Sequence, residues 1–150
     1  MQVVRSKNPE AEIVWLLHWA YPPANKDDKR FALYDYSSSK MSSELLRTAK
    51  IACSQYGLSR IVPVGPAIED LRKTRLNDEL DLTRDGYHLN LKYSRFTAAC
   101  AYYQAQIYPF TKVSIRKDKA TLEGTNFALT EKDAKLCRKV AARAVKRFKN

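Results

Sequence analysis

The chain is 150 residues long, 45% hydrophobic and 11% aromatic, with only 4 glycines and 6 prolines. That balance excludes disordered and fibrous classes and fits one globular domain, which at this length buries about 68–70% of its unfolded surface. The formal net charge of +11 is uneven: residues 111–150 carry 12 Lys/Arg against 4 Asp/Glu, a net of +8, and residues 1–110 carry 15 against 12, a net of +3.

The first residues, MQVVRSKNPEAE, lack the apolar run of about 7–15 residues and the small-residue cleavage site of a signal peptide. The longest apolar stretch, IVWLL, is far short of the ~20 residues that span a bilayer, so no transmembrane segment is expected. EIVWLLHW (12–19) is rich in β-branched and aromatic residues and predicts a strand covered on both faces. A proline-rich polar loop, YPPANKDDKR, follows.

Met41, Leu45, Ala49, Ala52 and Tyr56 recur at helical spacing, and Gly57 stands where a helix C-cap would be, so 41–56 predicts an amphipathic helix. RIVPVG (60–65) predicts a second buried strand. Strand, crossover helix and strand together make a βαβ unit with parallel strands. PAIEDLRKT begins with proline at a plausible first helical position and predicts a short helix, and RLNDELDLTRDG reads as loop.

Beyond that loop, Tyr93, Phe96, Cys100, Tyr103 and Ile107 step by three and four and predict a core-facing helix, with Asn90 placed to cap it. Residues 109–129 read as irregular. The segment from Thr130 has Thr130 and Asp133 at capping-box-like spacing. It puts Leu136, Cys137, Val140, Ala141, Ala144 and Phe148 on one helix face and Lys135, Lys139, Arg143, Lys146 and Arg147 on the other.

The three cysteines, Cys53, Cys100 and Cys137, are odd in number and include no CxxC pair, which argues against a disulfide framework and a structural zinc site. Each matches an apolar helix position, where a thiol behaves as a small hydrophobe. No metal is expected.

LTRDGYHLN (82–90) is the stretch with chemistry in it. An aspartate three residues before a histidine can turn its carboxylate to Nδ1–H of the imidazole within one loop, leaving Nε2 free to take a proton from a serine hydroxyl. Asp85 and His88 are therefore the candidate catalytic pair, and Gly86 eases the turn between them. Ser37, Ser38 and Ser39 read as a polar loop and helix cap rather than a nucleophile. His18 reads as a structural histidine at a strand end, and Trp19 and Tyr21 are possible cleft-lining residues.

The order WLLHWAYP, VPVGPAI, LTRDGYHLN resembles an uncharacterised branch of the SGNH/GDSL hydrolase superfamily, in which WxxTWAY-like, PVGTAI-like and LTRDGxHL segments occur in that order. The resemblance covers residues 12–108 and leaves 109–150 as a C-terminal extension ending in the basic amphipathic helix. It implies a three-layer α/β/α, flavodoxin-like fold with parallel strands. The implied activity is hydrolysis of an ester, often on an acylated carbohydrate, without a cofactor, with Asp85 as orienting acid and His88 as general base.

The superfamily's serine lies in a Gly-(Asp/Asn)-Ser motif after its first strand, with the oxyanion-hole glycine and asparagine on later loops. No Gly-Asp-Ser or Gly-Asn-Ser occurs in this chain. The reading is thus of one domain, 1–150, that is the C-terminal portion of such a hydrolase: its opening strands lie outside the sequence and it is inactive alone. Full-length relatives of this kind are often exported, so the compartment is left open. The competing reading is a non-catalytic basic module for nucleic acid or an anionic surface; the missing aromatic interleaving argues against nucleic acid.

Overall fold

In the computed structural model, residues 1–58, 60–79 and 81–148 are described. Leu80, in the stretch read as loop, and residues 149 and 150, at the end of the basic segment, lie outside them. A short helix α1 (Gln2–Lys7) precedes strand β1 (Trp15–Leu16), which pairs in parallel with β2 (Ile61–Val62), Trp15 opposite Ile61 and Leu16 opposite Val62. The pairing continues past the formal ends: Trp15 N–H donates to Arg60 C=O and Leu17 N–H to Val62 C=O, both at 3.0 Å. The crossover holds α2 (Lys29–Ala32), inside the stretch expected to be loop, and α3 (Ser38–Tyr56). Ser37 caps α3 by accepting from Lys40 N–H, and Gly57 ends it in the left-handed region at φ 61°.

Strand β2 runs straight into α4 (Val64–Arg72). This junction needs a glycine, because Gly65 N–H donates to Leu17 C=O at 2.8 Å and a Cβ on Gly65 would lie 2.1 Å from the His18 carbonyl oxygen. The end of β1 and the first turn of α4 are therefore locked together, and the strand end that carries His18 and Trp19 is fixed on the helix.

A short helix α5 (Arg75–Glu79), in a stretch expected to be loop, and the loop 81–92 lead to α6 (Tyr93–Tyr102), and α8 (Glu131–Arg147) is the last element described. Helices α4, α6 and α8 pack against one another over a core of Ile68, Leu71, Phe96, Ala101, Cys137, Ala141 and Ala144. The alanines let the helix backbones approach closely. A second, smaller core of Ala20, Tyr21, Phe31 and Met41 lies under the crossover.

Further local expectations change. The helix after the loop does not run evenly to 107: residues Tyr103–Ile107 form a π turn, followed by α7 (Tyr108–Thr111). The extra residue in that turn brings Gln104 and Ala105 into the core and leaves Ile107 39% exposed. Residues 109–129 include α7's end and a 3₁₀ turn, Ile115–Lys117, pinned by buried Ile115 and Leu129. In α8, Thr130 caps as expected, but Asp133 and Arg138 are buried beside the apolar face.

The molecule is thus mixed α/β with a two-stranded parallel sheet. Among the described residues no further strand pairs with β1 or β2, and no helix is long and apolar enough to cross a membrane.

Candidate active site

The loop holding Asp85 and His88 is closed by its own backbone. Thr83 and Leu89 form an antiparallel bridge, Arg84 N–H donates to His88 C=O and Asn90 N–H to Leu82 C=O, each at 2.9 Å. Gly86 sits at the tip with φ 74°, the left-handed region that favours glycine. Asn90 then anchors the exit: its Nδ2 donates to Asp81 C=O, while its Oδ1 accepts from Lys92 and Ser94 N–H. Asn90 thus organises the start of α6 as expected, although the cap position itself is Lys92.

Within this frame the two candidate residues meet. Asp85 Oδ1 accepts from the backbone N–H of Tyr87 at 3.0 Å and of His88 at 2.6 Å, and Oδ2 lies 2.6 Å from His88 Nδ1. The imidazole hydrogen bond first, and the two backbone donors after it, hold the Asp85 carboxyl down at about 2. An ionised carboxylate only accepts, so Nδ1 carries the proton of this contact and Nε2 is the basic nitrogen of the neutral ring. Nε2 makes no hydrogen bond to any described residue. Both side chains are open to solvent, His88 54% and Asp85 46% exposed.

The loop is also held from outside, by residues that follow β1. Trp19 Nε1–H donates to Tyr87 C=O at 2.7 Å and Asn25 Nδ2 donates to Gly86 C=O at 3.1 Å. The Tyr87 ring packs edge-on against Tyr21 at 5.6 Å, and the Arg30 guanidinium lies over both rings. Trp19 and Asn25 thus fix the two carbonyls at the loop tip, directly beside the carboxylate and imidazole. Sequence spacing gives no sign of the Asn25 contact, which joins residues 61 apart. Trp19 could be suspected only from its place at a strand end.

His88 borders an open apolar cleft of about 400 Å³ lined by Leu16, Trp19, Val64, Leu89, Ala98 and Tyr102, with Arg95 at its edge. Trp19 therefore does line a cleft, whereas Tyr21 is buried in the smaller core. His18 is exposed, its Nδ1 3.1 Å from the Trp19 carbonyl oxygen.

The serines of 37–39 are used locally. Ser37 caps α3, Ser38 Oγ donates to Tyr21 C=O at 2.5 Å and Ser39 Oγ lies 3.2 Å from that of Ser37. No serine hydroxyl bonds to His88 among the described residues. Nor, among them, do His, Cys, Asp and Glu side chains gather as a metal-binding group. The three cysteines are free and buried, and burial pushes the Cys100 and Cys137 thiols up, to about 12 and about 11.

Residues 1–144 match the family described as Domain of unknown function (DUF4886), and the chain belongs to that family. The crystal structure of a DUF4886 family protein from Bacteroides uniformis is similar, with 27% sequence identity and a TM-score of 0.82 over 97% of this chain. The match covers 52% of that protein's chain, so the present chain spans about half the length of its crystallised relative. No curated protein matches it.

Proposed function

We propose that this DUF4886 chain carries the acid–base half of a serine ester hydrolase of the SGNH/GDSL type, in which Asp85 orients His88 and His88 Nε2 takes the proton of a serine hydroxyl. The observation that carries the reading is the 2.6 Å contact between Asp85 Oδ2 and His88 Nδ1, with Nε2 left free at the rim of an apolar cleft. A base held in one tautomer by a carboxylate is what acyl transfer through a serine requires. The clamp by Trp19 and Asn25 supports it further, since a general base works only if its ring is held in place.

In this proposal the nucleophile and the oxyanion-hole donors come from polypeptide beyond these 150 residues, and the complete domain is a three-layer flavodoxin-like fold. Three features support that: the parallel strand pair with a helical crossover, an edge of β1 that no other strand pairs with among the described residues, and a crystallised relative about twice as long. The substrate class is an ester, with acylated carbohydrate the leading candidate from the resemblance in the sequence.

The test is hydrolysis of a small aryl ester. This chain is expected to show no turnover above that of His88→Ala, whereas the Bacteroides uniformis relative is expected to turn over and to lose most activity, roughly 100-fold or more, when the histidine aligned with His88 is changed to Ala. Strong turnover by this chain that His88→Ala removes would place the nucleophile inside it. An inactive relative, or one indifferent to the substitution, would overturn the hydrolase reading.

A further inference from the structure

The opposite end of the α6 rod has a chemistry that the Asp85–His88 pair does not explain. Gln104 lies 11 residues beyond Tyr93, roughly 16 Å along a helical rise of about 1.5 Å per residue. There the π turn, the 3₁₀ turn and the last turns of α8 enclose a hollow of about 230 Å³ lined by Gln104, Ser114, Arg116, Arg143, Val145 and Lys146, with Tyr108 and Ala142 at its margin. Three cations face one space, and none of the described residues lining it is acidic. Arg116, Arg143 and Lys146 have no ion-pair partner among the described residues. Seven other arginines, Arg30, Arg47, Arg60, Arg72, Arg75, Arg138 and Arg147, lie beside a carboxylate, whereas Arg5, Arg84 and Arg95 form no ion pair among the described residues either; what sets the hollow apart is that three such cations line one space.

The polar floor is likewise short of acceptors. Gln104 is 7% exposed, and the Ile115 N–H that donates to its Oε1 at 3.0 Å fixes which end of the amide is oxygen. Ser114 Oγ also donates to that oxygen, and accepts from Arg116 N–H. The acceptor of Gln104 is thus consumed, while its Nε2 has no partner among the described residues. Two guanidinium forks, one ammonium and an unused amide N–H₂ around a small hollow make its lining rich in donors, with the Ser114 and Tyr108 hydroxyls beside them. Such a lining suits a compact oxyanion with several lone pairs, and guanidinium pairs suit phosphate because they bind it bidentately. Ala142 and Val145 add apolar wall for a carbon skeleton.

We propose that this hollow binds the phosphate group of a phosphomonoester. The site is independent of the hydrolase reading and stands or falls without it.

The experiment is calorimetric titration of the 150-residue chain, in a zwitterionic buffer at low ionic strength, with inorganic phosphate and with glycerol 3-phosphate. Saturable one-to-one binding is expected, tighter for glycerol 3-phosphate. The double variant Arg116→Ala/Arg143→Ala, both residues exposed and outside the core, should weaken it by about tenfold or more, while Lys29→Ala, a surface cation outside the hollow, should leave it unchanged. Failure to saturate at concentrations on the order of 10 mM, or an equal loss in Lys29→Ala, overturns the proposal. Vesicles of phosphatidic acid in phosphatidylcholine identify the source. Co-sedimentation that the double variant abolishes supports a lipid-borne monoester, and soluble binding alone supports a free one. Short duplex DNA, a phosphodiester, is the counter-test: binding as tight as glycerol 3-phosphate and equally lost in the double variant overturns the monoester assignment.

Discussion

Leu71 of α4 and Leu16 of β1 are the same residue type, a few residues from the same junction, and meet opposite fates. Leu71 is fully buried in the core shared by α4, α6 and α8, whereas Leu16 is 49% exposed although it lies in a parallel strand. Parallel strands are normally covered on both faces, and here the face carrying Leu16 opens onto the cleft beside His88, while among the described residues only β2 pairs with β1. Helix α3 shares that openness, burying only Met41, Ala49 and Cys53 over its 19 residues. The helical body closes on itself; the strand pair does not. The candidate dyad sits on the border between the two, its loop rooted in α6 and clamped by residues that follow β1.

The sharpest test of the closed side is Leu71→Ala. Cutting a fully buried leucine side chain back to a methyl group in this core is expected to cost about 2–5 kcal/mol, read from the urea midpoint by circular dichroism. A loss below about 1 kcal/mol would mean that the body is loosely packed, and the contrast with the strand pair would disappear.

At the border, the expected effects are smaller and local. Trp19→Phe keeps the aromatic wall but removes the donor to Tyr87 C=O, a change worth about 0.5–1.5 kcal/mol. Its signature is faster hydrogen exchange at the Tyr87 and His88 amides, the two that donate to Asp85, with the body amides unchanged. Uniform acceleration across the molecule would show that Trp19 supports the body rather than the loop.

Acid titration examines the same loop without a substitution. The folded-state pKa of Asp85 is lowered from 3.8 to about 2, so its contacts are at full strength above the ordinary carboxylate range and are lost as pH falls through about 2. The carboxyl carbon resonance of Asp85 should therefore titrate with a midpoint near 2. A midpoint near 3.8 would mean that the imidazole and the two backbone donors do not hold the carboxylate in solution.

The same division governs what could be read from sequence. Periodicity carried the helices that bury a stripe, α3 with Gly57 at its end and α8 with Thr130 at its cap, while α4 was signalled by its proline and in fact starts two residues before it. The Asp85–His88 contact was legible because both partners lie in one short loop. The features that escaped depend on contacts between distant residues or on local geometry that leaves no periodic trace. The π turn at Tyr103–Ile107 breaks a three-and-four spacing that looks unbroken in the letters. Asn25 reaches Gly86 across 61 positions, and Arg138 and Asp133 are buried although charge pattern assigns such residues to solvent. The parallel strand pair was expected, but each strand is two residues long where longer ones were predicted, because only the segment that reaches the partner backbone is held in line.

The smallest expected effect is also the one that bears most directly on the open side. Leu16→Thr puts a β-branched residue in the strand and removes apolar surface already half in water. In this chain it should change stability by no more than about 0.5 kcal/mol, the range of ordinary surface substitutions. A loss like that of Leu71→Ala would show that the cleft is a true part of the core and that β1 needs no further cover. The proposed hydrolase makes the opposite demand on the longer protein. If additional polypeptide lies along the edge of β1 and brings the serine toward His88, the leucine aligned with Leu16 is buried there and its replacement costs a core-sized amount. Measuring both chains in urea turns one substitution into a test of the proposed origin of the nucleophile: a near-zero effect here with a large one there supports the proposal, and a near-zero effect in both removes the reason to seat a nucleophile-bearing strand against β1.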